Sequence, residues 1–188
     1  SITNFGNSDP FTGNLGLTSG SSLEVLGNGG YGLILNGNFS QQGGTANITG
    51  DGGYGVWFNA ANSQFNLRGG TANITGDGGY GVRFNAANSQ FNLFGGTANI
   101  TGQGLGGYGV RFNAANSQFN HTGGDLYLMP GSGASIYFAS SSTSSSANFG
   151  AGARVHLGLD LSGATINGLI SGNDFNANIT PGATLTPY

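Results

Sequence analysis

The chain has 188 residues, of which only 6% are charged and 39 are glycine. A typical soluble domain is about a quarter charged and about 7% glycine, so helix bundles, which need charged faces and few glycines, are excluded. Four basic residues, all arginine, face seven acids for a formal charge of −3, which excludes a nucleic-acid surface built on clustered cations. Thirteen Phe and seven Tyr within a 37% hydrophobic composition supply enough apolar area for a core, so the chain is not a disordered glycine polymer.

Residues 1–20 hold Pro10 and few apolar positions and read as an N-terminal cap or assembly segment. Ser1, where an initiator methionine would stand, reads as a processed or excised chain. A degenerate repeat opens at Leu23 with LEVLGNGGYGLILNGNFSQQ. Residues 43–68 read GGTANITGDGGYGVWFNAANSQFNLR, and residues 69–94 repeat them with two changes, Arg83 for Trp57 and Phe94 for Arg68. Residues 95–122 repeat them again, with two extra residues around Leu105 and Gln103 in the place of Asp51 and Asp77. A looser copy, DLYLMPGSGASIYFA, begins at Asp125; a Ser-rich insertion at 140–147 interrupts the pattern, which resumes as ARVHLGLDL and ATINGLI. The repeats span 21–170, and residues 171–188, with Pro181 and Pro187, read as a C-terminal tail, either a donor strand or a cap.

Each copy contains three short runs that alternate apolar with polar between Gly- or Asn-containing turns, the signature of strands. Ala46 and Ile48 share one face of the first run, Tyr54, Val56 and Phe58 one face of the second, and Phe65 and Leu67 one face of the third. Three strands per copy, with turns too short for helices, bury their inner faces only by winding into coils that stack about 4.8 Å apart. The spacing predicts an all-β fold, a parallel β-solenoid of about six coils. Its core columns would be Tyr54/Tyr80/Tyr108, Val56/Val82/Val110, Phe58/Phe84/Phe112 and Phe65/Phe91/Phe119, with Asn62/Asn88/Asn116 forming an amide ladder at a corner.

On the second run, the outward row is Ile34, Trp57, Arg83, Arg111 and Tyr137. Two arginines one coil apart repel unless an anion or a ring compensates, so Trp57, Arg83, Arg111 and Tyr137 read either as a contact stripe for another subunit or a glycan, or as a solvated row capped by two aromatics. Asn38, Asn47, Asn73, Asn99, Asn120 and Asn178 lie in Asn-x-Ser/Thr sequons and read either as glycan acceptors or as by-products of Asn ladders. Thr-x-Asn-x-Thr rows on three coils resemble ice-binding arrays, with Asn breaking the pattern. Asp51 and Asp77 fall at the same corner of adjacent coils, a spacing that would suit a retaining-glycosidase pair or a calcium ion. Gln103 in the third copy favours a polar glycine turn instead. His121, at a core-facing position, and His156 read as structural, so no catalytic residue, cofactor or resident metal is expected. There is no cysteine for a disulfide or thiolate site.

The Gly- and Asn-rich repeats GGTANI and FNAANSQFN resemble the parallel β-helical stalks of bacterial surface adhesins, including autotransporter passengers and filamentous-haemagglutinin-like proteins. The resemblance implies an extracellular or cell-surface location and a role in adhesion or assembly, and carries no catalytic residue with it. Together with the strand edges that an open solenoid leaves at both ends, it suggests a chain whose principal partner is itself, joined head to tail into a fibre, with glycans or surfaces as further partners. A polysaccharide-binding or polysaccharide-cleaving β-helix is the alternative. No run is apolar enough for a membrane span.

Overall fold

The computed structural model describes residues 2–3, 10–131, 133–157, 170–172, 177–179 and 184–187. The three alternating runs of each repeat are strands, and successive repeats pair in parallel, giving a β-solenoid of about five turns with three strands in each. The first face is built on Ser22–Gly30, Thr45–Gly52, Thr71–Gly76 and Thr97–Gly102, and the second on Leu33–Leu35, Val56–Phe58, Val82–Phe84, Val110–Phe112 and Ile136–Phe138. The third is built on Asn38–Gln41, Gln64–Leu67 and Gln90–Leu93; the long strand Gln118–Pro130 crosses a corner and joins the third face to the first. Thr71 pairs with Thr97, Val56 with Val82 and Phe65 with Phe91, so each residue lies beside its equivalent in the next repeat.

Register and burial follow one pattern. In Thr71–Gly76 the even positions Ala72 and Ile74 are fully buried and the odd ones half-exposed, because the side-chain period of a strand is two and one face meets the core. Phe58, Phe84, Phe112 and Phe138 stack with centroids 4.5–4.6 Å apart and planes within 8°. Phe65, Phe91 and Phe119 form a second column at 4.7–4.9 Å.

The tyrosines depart from the expected columns. Tyr54, Tyr80 and Tyr108 are half-buried and lie outside the core, while Val56 and Phe58 are fully enclosed. The cause is Gly55 and its equivalents, where the chain bends between the first and second faces. A Cβ on Gly55 would sit 2.6 Å from Ile74 Cγ2 and 2.7 Å from the carbonyl oxygen of Gly81. Alternation restarts after the bend, so a parity counted through it puts tyrosine on the wrong side.

The amide ladders also lie elsewhere than expected. Asn62, Asn88 and Asn116 are exposed turn residues at φ 63°, 60° and 56°, a left-handed conformation that Asn tolerates better than most side chains. The ladders run along the strands instead. Asn92 Nδ2 donates to Asn66 Oδ1 at 2.9 Å, Asn120 to Asn92 at 2.8 Å and Asn148 to Asn120 at 2.7 Å. On the first face Asn73 donates to Asn47 and Asn99 to Asn73, at 2.8 and 2.7 Å. Each amide supplies the acceptor that the next coil needs, which satisfies half-buried polar groups that would otherwise be costly.

Described parts of both tails continue this stack. Ile2–Thr3 pairs with Leu23 and Glu24, while Ala177–Ile179 and Thr184–Pro187 pair with the strand Ser146–Leu157. Pro181 and all of 158–169 lie outside the described residues.

Candidate functional site: a tyrosine and arginine stripe

The second face places Ile34, Trp57, Arg83, Arg111 and Tyr137 in one row, each paired in register with the next. Ile34 is buried, so the half-buried stripe begins at Trp57. Beside this row run the corner tyrosines that the glycine bend turns outward. Their rings stack from Tyr31 to Tyr54 at 5.1 Å, to Tyr80 at 4.9 Å and to Tyr108 at 5.4 Å. Tyr137 then packs on Tyr108 at 4.5 Å and merges the two rows. Trp57 leans on Tyr31 at 4.4 Å.

Each arginine reaches back one coil to a tyrosine. Arg83 Nη1 donates to the hydroxyl of Tyr54, and Arg111 Nη1 to that of Tyr80. The guanidinium of Arg83 lies 4.8 Å from the Tyr54 ring centre; that of Arg111 lies 4.7 Å from Tyr80 and 5.4 Å from Tyr137. Arg111 Nε also donates to Asn113 Oδ1 at 2.8 Å. These contacts hold two like charges at neighbouring ladder positions, where bare cations would repel. Among the described residues, the ion pairs involve Asp125 with Arg154 and His156, and neither Arg83 nor Arg111 meets a carboxylate. Trp57 Nε1 and Arg83 Nε have no hydrogen-bond partner.

Sequence reasoning found the arginine row and missed its tyrosine partners. The signal was the repeated Gly-Tyr-Gly, which marks a corner rather than a strand interior.

Asp51 and Asp77 are exposed at the turn before the tyrosines. The corner there is held by backbone bonds, from Asp77 N–H to the Gly50 carbonyl at 2.9 Å and from Gln103 N–H to the Gly76 carbonyl at 2.8 Å. Among the described residues, no group of three or more His, Cys, Asp or Glu is arranged to hold a metal ion. Of the sequon asparagines, Asn47, Asn73, Asn99 and Asn120 belong to the amide ladders. Asn38 is exposed and donates to Asn14 Oδ1 at 3.0 Å; Asn178 pairs in register with Asn148.

A second polar cluster, not anticipated, lies on the first face. Arg154 donates to both carboxylate oxygens of Asp125, at 2.6 and 2.7 Å, and holds that carboxyl below its usual range. His156 lies 3.5 Å from the same carboxylate and stacks on Tyr127 at 4.3 Å. Asp125 and Arg154 are 29 positions apart, off the strict repeat period, so the sequence pattern does not reveal that they are neighbours.

His121 is fully buried between Leu93 and Phe149. Its Nε2–H donates to the Gly124 carbonyl at 3.0 Å, and its Nδ1 has no partner. Burial pushes its pKa below the ordinary histidine value. The folded protein therefore binds fewer protons than the unfolded chain just below pH ~6.5, and stability falls as pH drops through that value. His121→Leu restores the Leu67/Leu93 column. It is expected to raise the unfolding free energy by about 1 kcal/mol at pH 7, since an unsatisfied buried nitrogen is removed and only one carbonyl bond lost. It should also flatten the acid limb of a urea-unfolding series from pH 7 to 5. An unchanged slope would place the pH dependence in other groups.

The fold and this face define the chain as a tandem-repeat parallel β-solenoid with a lateral stripe of tyrosine and arginine. No protein-family model matches it, and neither a curated protein nor a solved structure does.

Proposed function

We propose that the protein is an extracellular structural element, a rod that joins head to tail with further copies into a surface filament or adhesive fibre. The observation that carries this reading is the parallel backbone ladder, which continues through the described parts of both tails. The asparagine and phenylalanine columns fill the central coils and give way to Ser40, Leu35, Ala147 and Gly172 in the flanking ones, so what an end coil offers another coil is the backbone edge of its outermost strands. A heterologous contact of this kind propagates as an open series. The resemblance to adhesin stalks points the same way. Negative-stain electron microscopy and sedimentation across a concentration series test the proposal. Filaments one solenoid wide, growing with concentration, are the expected result; a monomer at every concentration would refute it.

Polysaccharide binding is a second reading, favoured by a stripe of arginines that meet no carboxylate among the described residues.

A further inference from the structure

We infer that the Arg83 and Arg111 stripe binds a linear acidic polysaccharide, with carboxylates of successive sugars on the two guanidiniums. The inference rests on reading the chain as a surface rod whose long side is free. Three features of the stripe select this chemistry.

The first is charge without a counter-charge. Both guanidiniums are held in fixed positions by tyrosine hydroxyls and ring faces, yet neither meets a carboxylate among the described residues. With Nη1 of both on tyrosine hydroxyls and Nε of Arg111 on Asn113, Nη2 of each guanidinium is left to donate to a carboxylate, and ordering the side chain beforehand lowers the entropic cost of binding.

The second is what the aromatic rings leave open. Tyr54 and Tyr80 stack face to face at 4.9 Å with planes 8° apart, so their faces are covered by one another. A neutral sugar that binds by lying on an aromatic face has no platform here. Ring edges and cationic nitrogens remain, and they favour a charged ligand.

The third is spacing. Arg83 and Arg111 pair in register on adjacent strands, so their charges repeat at about the 4.8 Å step of the stack, comparable with the length of one sugar in an extended chain. Two cations are too few to neutralise a nucleic-acid backbone, whereas they match a pair of carboxylates on successive sugars.

Binding of the full chain to polygalacturonate, to amylose of similar length and to a single-stranded oligonucleotide tests the inference by calorimetry at two salt concentrations. Polygalacturonate should bind, more weakly at high salt, and the double variant Arg83→Gln/Arg111→Gln should lose about tenfold or more in affinity, as expected for charge-assisted hydrogen bonds. The row already accepts Ile34, Trp57 and Tyr137 at equivalent positions, so the variant should keep its fold, checked by circular dichroism. Arg154→Gln removes one equal charge away from the stripe and should bind like the parent. Equal or tighter binding of amylose or the oligonucleotide, no binding of polygalacturonate, retained affinity in the double variant, or an equal loss in Arg154→Gln would each overturn the inference. Electron microscopy of the same samples reads the assembly proposal separately: polygalacturonate binding without filaments overturns assembly alone.

Discussion

Gly70→Ala is expected to destabilise the protein by about 3 to 4 kcal/mol, the sum of a left-handed backbone penalty and an overpacked contact. Gly70 has φ 80°, and a Cβ there would strike the Gly44 carbonyl oxygen, with Gly43 C at 2.6 Å and Gly44 N at 2.8 Å. All three atoms are backbone of the preceding coil, so no side chain can swing aside. Gly44, Gly96 and Gly124 occupy the same corner with φ between 72° and 84°, which makes the site a column of glycines rather than one turn. Thr71 N–H reaches the Gly44 carbonyl at 2.9 Å across this corner, and the added methyl group would push that bond apart. The control is Gly16→Ala, where a Cβ meets nothing within 4 Å and φ is not positive. Urea midpoints should fall sharply for the first variant and stay near the parent for the second. Equal midpoints would mean that the coils do not approach as closely as the register requires.

Phe91→Ala is the second large effect, expected at about 3 to 5 kcal/mol. Phe91 is fully buried, with Phe65 at 4.7 Å on one side and Phe119 at 4.9 Å on the other. Its neighbours belong to strands pinned by backbone ladders, so the cavity has little room to collapse, which places the cost toward the upper end. Phe91→Leu retains most of the volume and should recover more than half of the loss. Thermal or urea unfolding of the three proteins reads both effects, and a Phe91→Ala variant as stable as the parent would remove the stacked column from the core.

What the sequence made legible was the repeat and its consequences. Near-identity of residues 43–68 and 69–94 fixes the coil length, and alternation within Thr45–Gly52 or Gln64–Leu67 fixes which residues face inward. Local rules failed where the chain turns. Parity counted along the chain puts Tyr54 on the wrong side because the bend at Gly55 resets it, and Asn62 is at a turn whose geometry demands Asn for its backbone rather than its amide. The Asp125 and Arg154 pair was hidden because the coil lengthens beyond the strict repeat. Arg83 and Arg111 were visible as a row, yet what stabilises them was not, since their partners come from a corner one coil away. Contacts within a period can be read from one copy; contacts between a strand and the neighbouring corner need the geometry of the bend.

The central claim is that repeat equivalents are adjacent strand neighbours, and spin labels at Thr71 and Thr97 test it most directly, because the chain has no cysteine to compete for labelling. With backbones about 4.8 Å apart, the doubly labelled Thr71→Cys/Thr97→Cys protein should show strong dipolar broadening that vanishes on unfolding in urea. A spectrum equal to the sum of the two single-label spectra, in protein shown by circular dichroism to be folded, would contradict the stacked solenoid.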